Sequence, residues 1–431
     1  MDGALRELGG HWIASGEQDR RFRAPHNGRG RTYDVHQIGL TAQELDQYYA
    51  GFSNRVLWPL FHYFIGRVNF QPDEWNGYVR VNRHYAKEIQ ERLDQQKEPT
   101  VAWIHDYHLL LTPGFLREAR PDALVGFFLH TPFPAYEVFR ILPSRRELLE
   151  GMLGADLIGF HTVNYQDAFL DSVRRLLGAR VDRNGTVEHR GHRTRTLVAP
   201  IGIDVEEWER LASDPRIAAR AQRLRKTIVG DSLVLGVDRL DYAKGIPERL
   251  AGFERLLQRH PEHRGRVTLV QIAVPSRIRV EEYRELKRLT DETVGSINGH
   301  YGDAIWTPVH YITRALQAHD LAAYYRAADV ALVTPLRDGL NLVAKEFVAS
   351  RVHGVGALVL SEFAGVADEL PQAYFVNPFG PDSIAEALHT AITDDRIERE
   401  RRMASLISRV RSNDVGRWAR NFVQQLLRSA E

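Results

Sequence analysis

Leu233-Val234-Leu235-Gly236-Val237-Asp238-Arg239-Leu240-Asp241-Tyr242-Ala243-Lys244-Gly245 passes from an unbroken apolar run into a polar, glycine-containing loop. The run reads as a strand covered on both faces, the pattern of a parallel sheet with helices above and below. The loop that follows it carries Arg239 and Lys244. Two cations just past the end of such a strand suit a diphosphate. The same residues also suit a surface network in which Arg239 pairs with Asp238 or Asp241.

Working outward, further apolar runs alternate with amphipathic, helix-like stretches. They are Val101–Ile104, Val125–Leu129, Leu157–Phe160 and Thr196–Ala199 in the first half. The second half adds Val267–Val274, Val330–Thr334, Ala357–Leu360 and Tyr374–Val376. Thr41-x-x-Glu44 and Ser383-x-x-Glu386 read as helix-opening capping boxes. Pro200-Ile201-Gly202-Ile203-Asp204 interrupts the pattern and marks a boundary. The expected fold is therefore α/β, with two doubly wound Rossmann-like domains facing a cleft. The first spans 1–200 and the second 201–414, with a C-terminal helix over 415–431 packing back on the first. Ligands in such sheets bind at the carboxyl ends of strands.

Three more segments follow strands and carry polar groups. Trp103-Ile104-His105-Asp106-Tyr107-His108 places two histidines and an aspartate at a strand end, where Asp106 either caps a helix or serves a ligand. Phe127-Phe128-Leu129-His130-Thr131-Pro132-Phe133-Pro134 sets His130 before a rigid turn. Thr334-Pro335-Leu336-Arg337-Asp338-Gly339-Leu340-Asn341 runs into Leu342-Val343-Ala344-Lys345-Glu346. There Asp338-Gly339 opens a helix whose free N–H groups could hold an anion or sugar hydroxyls, Asp338 could cap it, and Glu346 could accept from a ribose. Arg277, directly after the run ending at Val274, adds another strand-end cation.

Composition narrows the classes. With 57 basic against 56 acidic residues, the net charge of +1 provides no broad surface for nucleic acid or an anionic membrane. No cysteine is present, which removes disulfides, thiolate metal sites and a cysteine nucleophile. No Asp-x-Asp pair, His-Glu-x-x-His arrangement, Gly-x-Ser-x-Gly elbow or Gly-Lys-Ser/Thr phosphate loop occurs. The expectation is a soluble, cytoplasmic protein without metal or cofactor that accepts phosphorylated and hydroxylated ligands.

Together these segments, with Tyr48-Tyr49-Ala50-Gly51-Phe52-Ser53-Asn54 and Leu57-Trp58-Pro59-Leu60-Phe61-His62-Tyr63, resemble the trehalose-6-phosphate synthases, retaining glycosyltransferases of the GT-B fold. The resemblance runs from about Leu5 to the C-terminus. It implies transfer of glucose from a nucleotide-glucose, UDP-glucose first, to glucose 6-phosphate, giving α,α-trehalose 6-phosphate. It further implies that Arg239 and Lys244 bind the donor diphosphate. Asp338 contacts the donor glucose, with Gly339, Asn341 and Leu342 beside it, and Glu346 binds the ribose. His130 lies next to the donor sugar, and Asp106 between donor and acceptor. Tyr49, Trp58 and Arg277 hold the acceptor, with Arg277 on its phosphate. The residues named for catalysis are Asp106, His130, Arg239 and Lys244. A dimer or tetramer is expected.

The sequence departs from this family at its start. The family's first strand, an arginine-bearing loop and a Gly-Gly-Leu turn precede the stretch that Gly9-Gly10-His11-Trp12 matches, and here Met1 falls after them. Ser15 stands where the family often has a second acceptor-site tryptophan. These departures leave two alternatives: glycerol 3-phosphate as acceptor, or a non-catalytic sugar-binding or regulatory paralogue.

Overall fold

The computed structural model describes residues 2–25, 30–96, 100–276 and 281–429. Two compact units result, one made of residues 1–201 and 415–431, the other of residues 202–414. No helix among the described residues is long and apolar enough to cross a membrane.

Among the described residues the first unit holds nine strands: β1 (His11–Gly16), β2 (Arg20–Arg23), β3 (Asp34–Gly39), β4 (Ala102–His105), β5 (Val125–Phe128), β6 (Leu157–Phe160), β7 (Arg180–Val181), β8 (Val187–His189) and β9 (His192–Val198). Its main sheet runs β4-β5-β6-β9-β8-β7. The first four are parallel, and the β7–β8–β9 edge is antiparallel. Every residue of β5 and β6 is buried, which is why these runs do not alternate. The expected run Thr196–Ala199 coincides with the last part of a longer β9 up to Val198, and Ala199 lies just beyond it. Strands β1–β3 form a separate three-stranded sheet that apolar runs did not reveal, because their faces are only partly covered.

One face of the main sheet is covered by the helix Val415–Leu427. Its Trp418, Phe422 and Leu426 recur every four residues and are buried. Phe422 stacks on Trp103 at 4.5 Å and 6°. Glycines in the strands make room for it: a Cβ on Gly126 would lie 2.8 Å from the Phe422 ring, and one on Gly159 would lie 2.4 Å from Phe128. Arg195 of β9 donates to the Gln425 carbonyl at 3.0 Å, and the Trp418 indole donates to the Ala199 carbonyl at 2.9 Å.

The Thr41–Glu44 capping box forms, with each side chain accepting from the other residue's backbone N–H. It opens a wide-bore helical segment over Leu45–Leu57, which ends as the Trp58 N–H donates to the Ser53 carbonyl, five residues back. Such π-type turns are rare and concentrate at functional sites. This one bends at Gly51, where a Cβ would lie 2.7 Å from Glu74 of the helix Pro72–Asp94.

The second unit holds β10 (Ser232–Arg239), β11 (Val267–Val274), β12 (Val309–Ile312), β13 (Val330–Val333), β14 (Ala357–Ser361) and β15 (Tyr374–Val376). All six are parallel in the order β12-β11-β10-β13-β14-β15. Numbered within the unit this is 3-2-1-4-5-6, the doubly wound order, and it reverses between β10 and β13. Strand β12 was not expected, since only Val309 of its four residues is fully buried. Ser383 is a further correction. The helix Pro381–Thr393 begins after Gly380, so Ser383 lies inside it and its hydroxyl accepts from the Asn377 N–H instead.

Phe422→Ala removes a fully buried ring from the interface of helix and sheet. The expected cost is about 3–5 kcal/mol of first-unit stability, read as a lowered urea midpoint. A loss below ~1 kcal/mol would contradict this packing account.

Candidate functional site

In the second unit the reversal of strand order places two loops side by side. The loop after β10 contains Asp241, whose carboxylate accepts from the Ala243 N–H at 3.0 Å and from the Tyr283 hydroxyl at 3.3 Å. Gly245 follows with φ 63°, and a Cβ there would lie 2.3 Å from the Thr334 carbonyl. Only glycine permits this approach, which joins the β10 loop to the β13 loop. The Leu336 N–H then donates to the Ala243 carbonyl at 2.8 Å.

This contact brings Lys244 to Asp338, Nζ to Oδ2, at 2.5 Å, with both side chains largely buried. Asn341 Nδ2 donates to the same carboxylate oxygen at 2.9 Å. The helix that follows starts later than the sequence suggested, at Leu342, and Asn341 caps it by accepting from the Ala344 N–H at 3.2 Å. Asp338 is thus no cap. It faces Lys244, and its backbone is tied to Phe363 and Gly365. Asn341 holds φ 85°, a strained value for a non-glycine residue. Gly339 packs under Gly365, where a Cβ would meet its carbonyl oxygen at 2.1 Å. Leu342 is exposed.

Beneath these loops lies Arg249, which has no exposed surface. It pairs with Asp238 at 2.7 Å and donates to Thr334 Oγ1 at 3.0 Å and Gln271 Oε1 at 3.1 Å. Asp238 is therefore committed to the interior rather than to Arg239, whose side chain is exposed at the end of β10. Burial raises the Asp238 carboxyl, and Arg249 and then Lys244 oppose that rise. Glu346 accepts from the buried Tyr325 hydroxyl at 2.8 Å, and burial raises its pKa. Arg277 lies outside the described residues.

In the first unit, Asp106 follows β4 with φ 72° and ψ 170°, a conformation essentially reserved for glycine. Its side chain caps no helix; Oδ1 accepts from the His130 N–H at 3.2 Å. That bond ties the β4 loop to the β5 loop. His105 Nδ1 lies 3.1 Å from His130 Nε2, so one ring donates and the other accepts. Burial among Trp103, Phe128 and Trp418 pushes both rings down, His130 to about 3 and His105 well below its ordinary value, with His130 adding to the effect on His105. Both are neutral at pH 7.

The wide helix supplies Tyr49, and the short helix Trp58–Phe61 that follows it supplies Trp58. Tyr49 is exposed and stacks on His108 at 5.6 Å and 8°. Trp58 is buried between His62 at 4.0 Å and Tyr107 at 5.6 Å. The Tyr107 hydroxyl donates to Asn54 Oδ1 at 2.9 Å, and Asn54 Nδ2 donates to the Tyr49 carbonyl at 2.6 Å. The first unit thus sets Tyr49 and Trp58, on helical segments, against the loop that follows Asp106, which is bonded to His130, and the second unit brings Lys244, Asp338 and Asn341 to its switch point.

Sequence reading missed His105 as the partner of His130, and missed Arg249 and Asn54 as supports. Arg249 sits at an ordinary helical position and carried no signal. His105 was visible only as one of two histidines flanking Asp106.

Two doubly wound α/β units with polar groups at the carboxyl ends of their strands are the architecture of the GT-B fold. Residues 12–428 match Glycosyltransferase family 20, and the chain belongs to that family. It is 39% identical to "Alpha,alpha-trehalose-phosphate synthase [UDP-forming] A" of Dictyostelium discoideum, over 92% of this chain and 54% of that one. It is 43% identical to a bifunctional trehalose-6-phosphate synthase/phosphatase of Thermoproteus tenax, over 98% of this chain and 58% of the relative. The chain thus spans between half and two thirds of the length of these two proteins. Among solved structures, an α,α-trehalose-phosphate synthase (UDP-forming) from Burkholderia xenovorans, in complex with glucose 6-phosphate, superposes with a TM-score of 0.92 at 37% identity, covering 99% of this chain and 94% of the other.

The neutral histidine pair sets a pH dependence. An unfolded histidine takes a proton near its ordinary value of 6.5, whereas folded His130 does so only near 3. The unfolded state therefore binds more protons across that window, and stability falls as pH drops from 6.5 towards 3. His130→Gln is expected to flatten this part of the urea-midpoint profile. An imidazole NMR titration showing either ring charged at pH 6 would refute the assignment.

Proposed function

We propose that the chain is a retaining hexosyltransferase that moves glucose from UDP-glucose to glucose 6-phosphate, forming α,α-trehalose 6-phosphate. The observation that carries the reading is the Lys244–Asp338–Asn341 arrangement at the strand-order reversal of a chain belonging to glycosyltransferase family 20. A loop pair offering a cation beside a carboxylate suits a sugar diphosphate, whose two ends need opposite partners.

In this reading the second unit binds the donor. Arg239 and Lys244 hold the diphosphate, Asp338 and Asn341 accept and donate to glucose hydroxyls with the Gly339 and Leu342 backbone beside them, and Glu346 accepts from the ribose. The first unit binds the acceptor through Tyr49 and Trp58, and Arg277 takes its phosphate. Asp106 orients the acceptor hydroxyl, and neutral His130 lies beside the donor sugar. The bond between the anomeric carbon and the diphosphate oxygen breaks, and the acceptor oxygen bonds to that carbon from the same face. The acceptor proton passes to the departing diphosphate. The two cations stabilise the charge growing on the leaving group, the main electrostatic demand of the step. The reading also includes action in the cytoplasm and self-association as a dimer or tetramer.

UDP release from UDP-glucose tests this directly. Release with glucose 6-phosphate, and trehalose 6-phosphate as product, is the expected result. Release with glycerol 3-phosphate alone would move the acceptor assignment, and release with neither would refute the enzymatic reading for this chain. Arg239→Ala is expected to lower kcat/KM for the donor by ~10²–10³-fold, with an unchanged circular dichroism spectrum. Kinetics equal to the parent protein would remove Arg239 from the diphosphate site.

A further inference from the structure

Away from both groups of loops, the second unit carries a histidine cluster that the glycosyl-transfer reading does not use. The helix Ile246–Arg259 ends at His260, and Pro261 starts a tight turn through His263. His260 and His263 are three residues apart on that turn, the spacing that brings side chains to one side. The helix Pro381–Thr393 packs alongside and presents His389. His260 and His389 stack at 3.8 Å and 13°, and the Nδ1 atoms of both face the same Glu262 oxygen, at 3.4 and 4.0 Å. His263 Nε2 lies 3.0 Å from His389 Nδ1.

We propose that His260, Glu262 and His389 form a binding site for a divalent transition-metal ion of the zinc class, with His263 set against His389 beside it. One potential ligand atom from each of His260, Glu262 and His389 lies within 4.8 Å of the others. Neighbouring ligands in a tetrahedral shell with bonds of ~2.1 Å are separated by ~3.4 Å. The spacings of 3.4 and 4.0 Å from the Glu262 oxygen to His260 Nδ1 and His389 Nδ1 lie at and somewhat beyond that edge. Imidazole nitrogens with a single carboxylate select zinc, copper or nickel over magnesium or calcium, which prefer all-oxygen shells.

Surrounding charges are compatible with a cation. Arg259, beside His260 in the chain, is engaged by Asp382 at 3.0 Å and Glu386 at 3.4 Å, and Arg266, whose charge bears on His263, is paired with Asp231 at 2.7 Å. Glu386 also lies 3.4 Å from His260 Nε2, placing a carboxylate behind a ligand imidazole, as outer-shell partners usually do. The C-terminal end of the helix Ile246–Arg259 further favours positive charge. The bland reading is an interhelical polar seam, whose exposed ion pairs are each worth ~0–1 kcal/mol. That reading accounts for Arg259, Asp382 and Glu386. It does not account for two imidazoles turned to one Glu262 oxygen with a third imidazole against the second of them. The ion would join the turn His260–His263 to the helix Pro381–Thr393. Its role is structural, because none of these residues belongs to the proposed transfer machinery.

The test uses the full chain, stripped with a chelator and titrated with Zn²⁺ against a chromophoric competitor, and with Co²⁺ followed by its visible d–d absorption. The parent protein is expected to take up one equivalent and to show a tetrahedral Co²⁺ spectrum. Glu262→Gln and His389→Gln should each weaken Zn²⁺ binding at least ~10-fold and abolish that spectrum. His300→Ala, an exposed histidine elsewhere in the unit, should leave both unchanged. Because Glu262 is more than half exposed, its substitution tests the site without endangering the fold. No Zn²⁺ uptake by the parent, or equal affinity in Glu262→Gln, would overturn the proposal. Neither result bears on UDP release, so this site and the transferase reading stand or fall separately.

Discussion

A guanidinium with no exposed surface must be neutralised and fully hydrogen-bonded, and in the second unit that requirement organises everything above the sheet. Arg249 meets it through Asp238 at the end of β10, Gln271 in β11 and Thr334 just after β13. Three adjacent strands are thereby fixed at the point where their order reverses. Gly236 is part of the same constraint, since a Cβ there would lie 2.6 Å from Gln271 Oε1 and 2.7 Å from Arg249 Nη1. Removing one member of such a buried pair typically costs ~3–5 kcal/mol, because the other is left charged in the interior. The loops bearing Lys244 and Asp338 thus rest on a rigid floor and not on each other alone.

The first unit uses a different device. Its site residues include the Asp106 carboxylate, and burial keeps the neighbouring His105 and His130 rings neutral. Asp106 is held in a glycine-like backbone conformation, at a cost of order 1–3 kcal/mol, by its bond to the His130 N–H and by the network beneath it. That network is specific: the Tyr78 hydroxyl donates to the Tyr107 carbonyl at 2.7 Å, Asn82 Nδ2 donates to the His108 carbonyl at 3.0 Å, and Asn82 Oδ1 accepts from Leu111 and Thr112. The wide helix and the short helix after it then set Tyr49 and Trp58 against the same loop. Strain and an irregular helix therefore occur together at one place, and a well-packed tyrosine and asparagine framework offsets both.

The doubly wound architecture was legible wherever strands are buried on both faces. Leu157–Phe160, Val267–Val274 and Tyr374–Val376 begin and end in the structure where the apolar runs do. Strands with one wet face, β1 to β3 and β12, left no such trace, because their burial comes from neighbours that sequence alone does not locate. Helix starts were readable when the cap lies next to the helix, as at Thr41. They were misread at Asp338 and Ser383, where an acid or a serine at the right spacing makes its bonds elsewhere. Asp106, His130, Lys244 and Asp338 drew notice because they follow strands, whereas Tyr49 and Trp58, on helical segments, entered through the family resemblance. Their supports were not, since Arg249, Asn54 and Asn82 sit at unremarkable helical positions and gain their meaning only from contacts tens of residues away.

The Lys244–Asp338 pair decides what kind of ligand the second unit can take at low cost. Each group is largely buried, so each compensates the other's lost hydration. An uncharged ligand inserted between them would separate two buried charges and leave both short of partners. An anion alone would satisfy Lys244 and face Asp338 with like charge. A ligand that carries negative charge at one end and hydroxyl donors at the other satisfies both groups together, with Asn341 retained on the carboxylate. Exchange of this kind changes the buried charge little, so net affinity must come from groups outside the pair. In the proposed reading that role falls to Arg239, exposed at the end of β10, whose guanidinium can make bidentate bonds to phosphate oxygens.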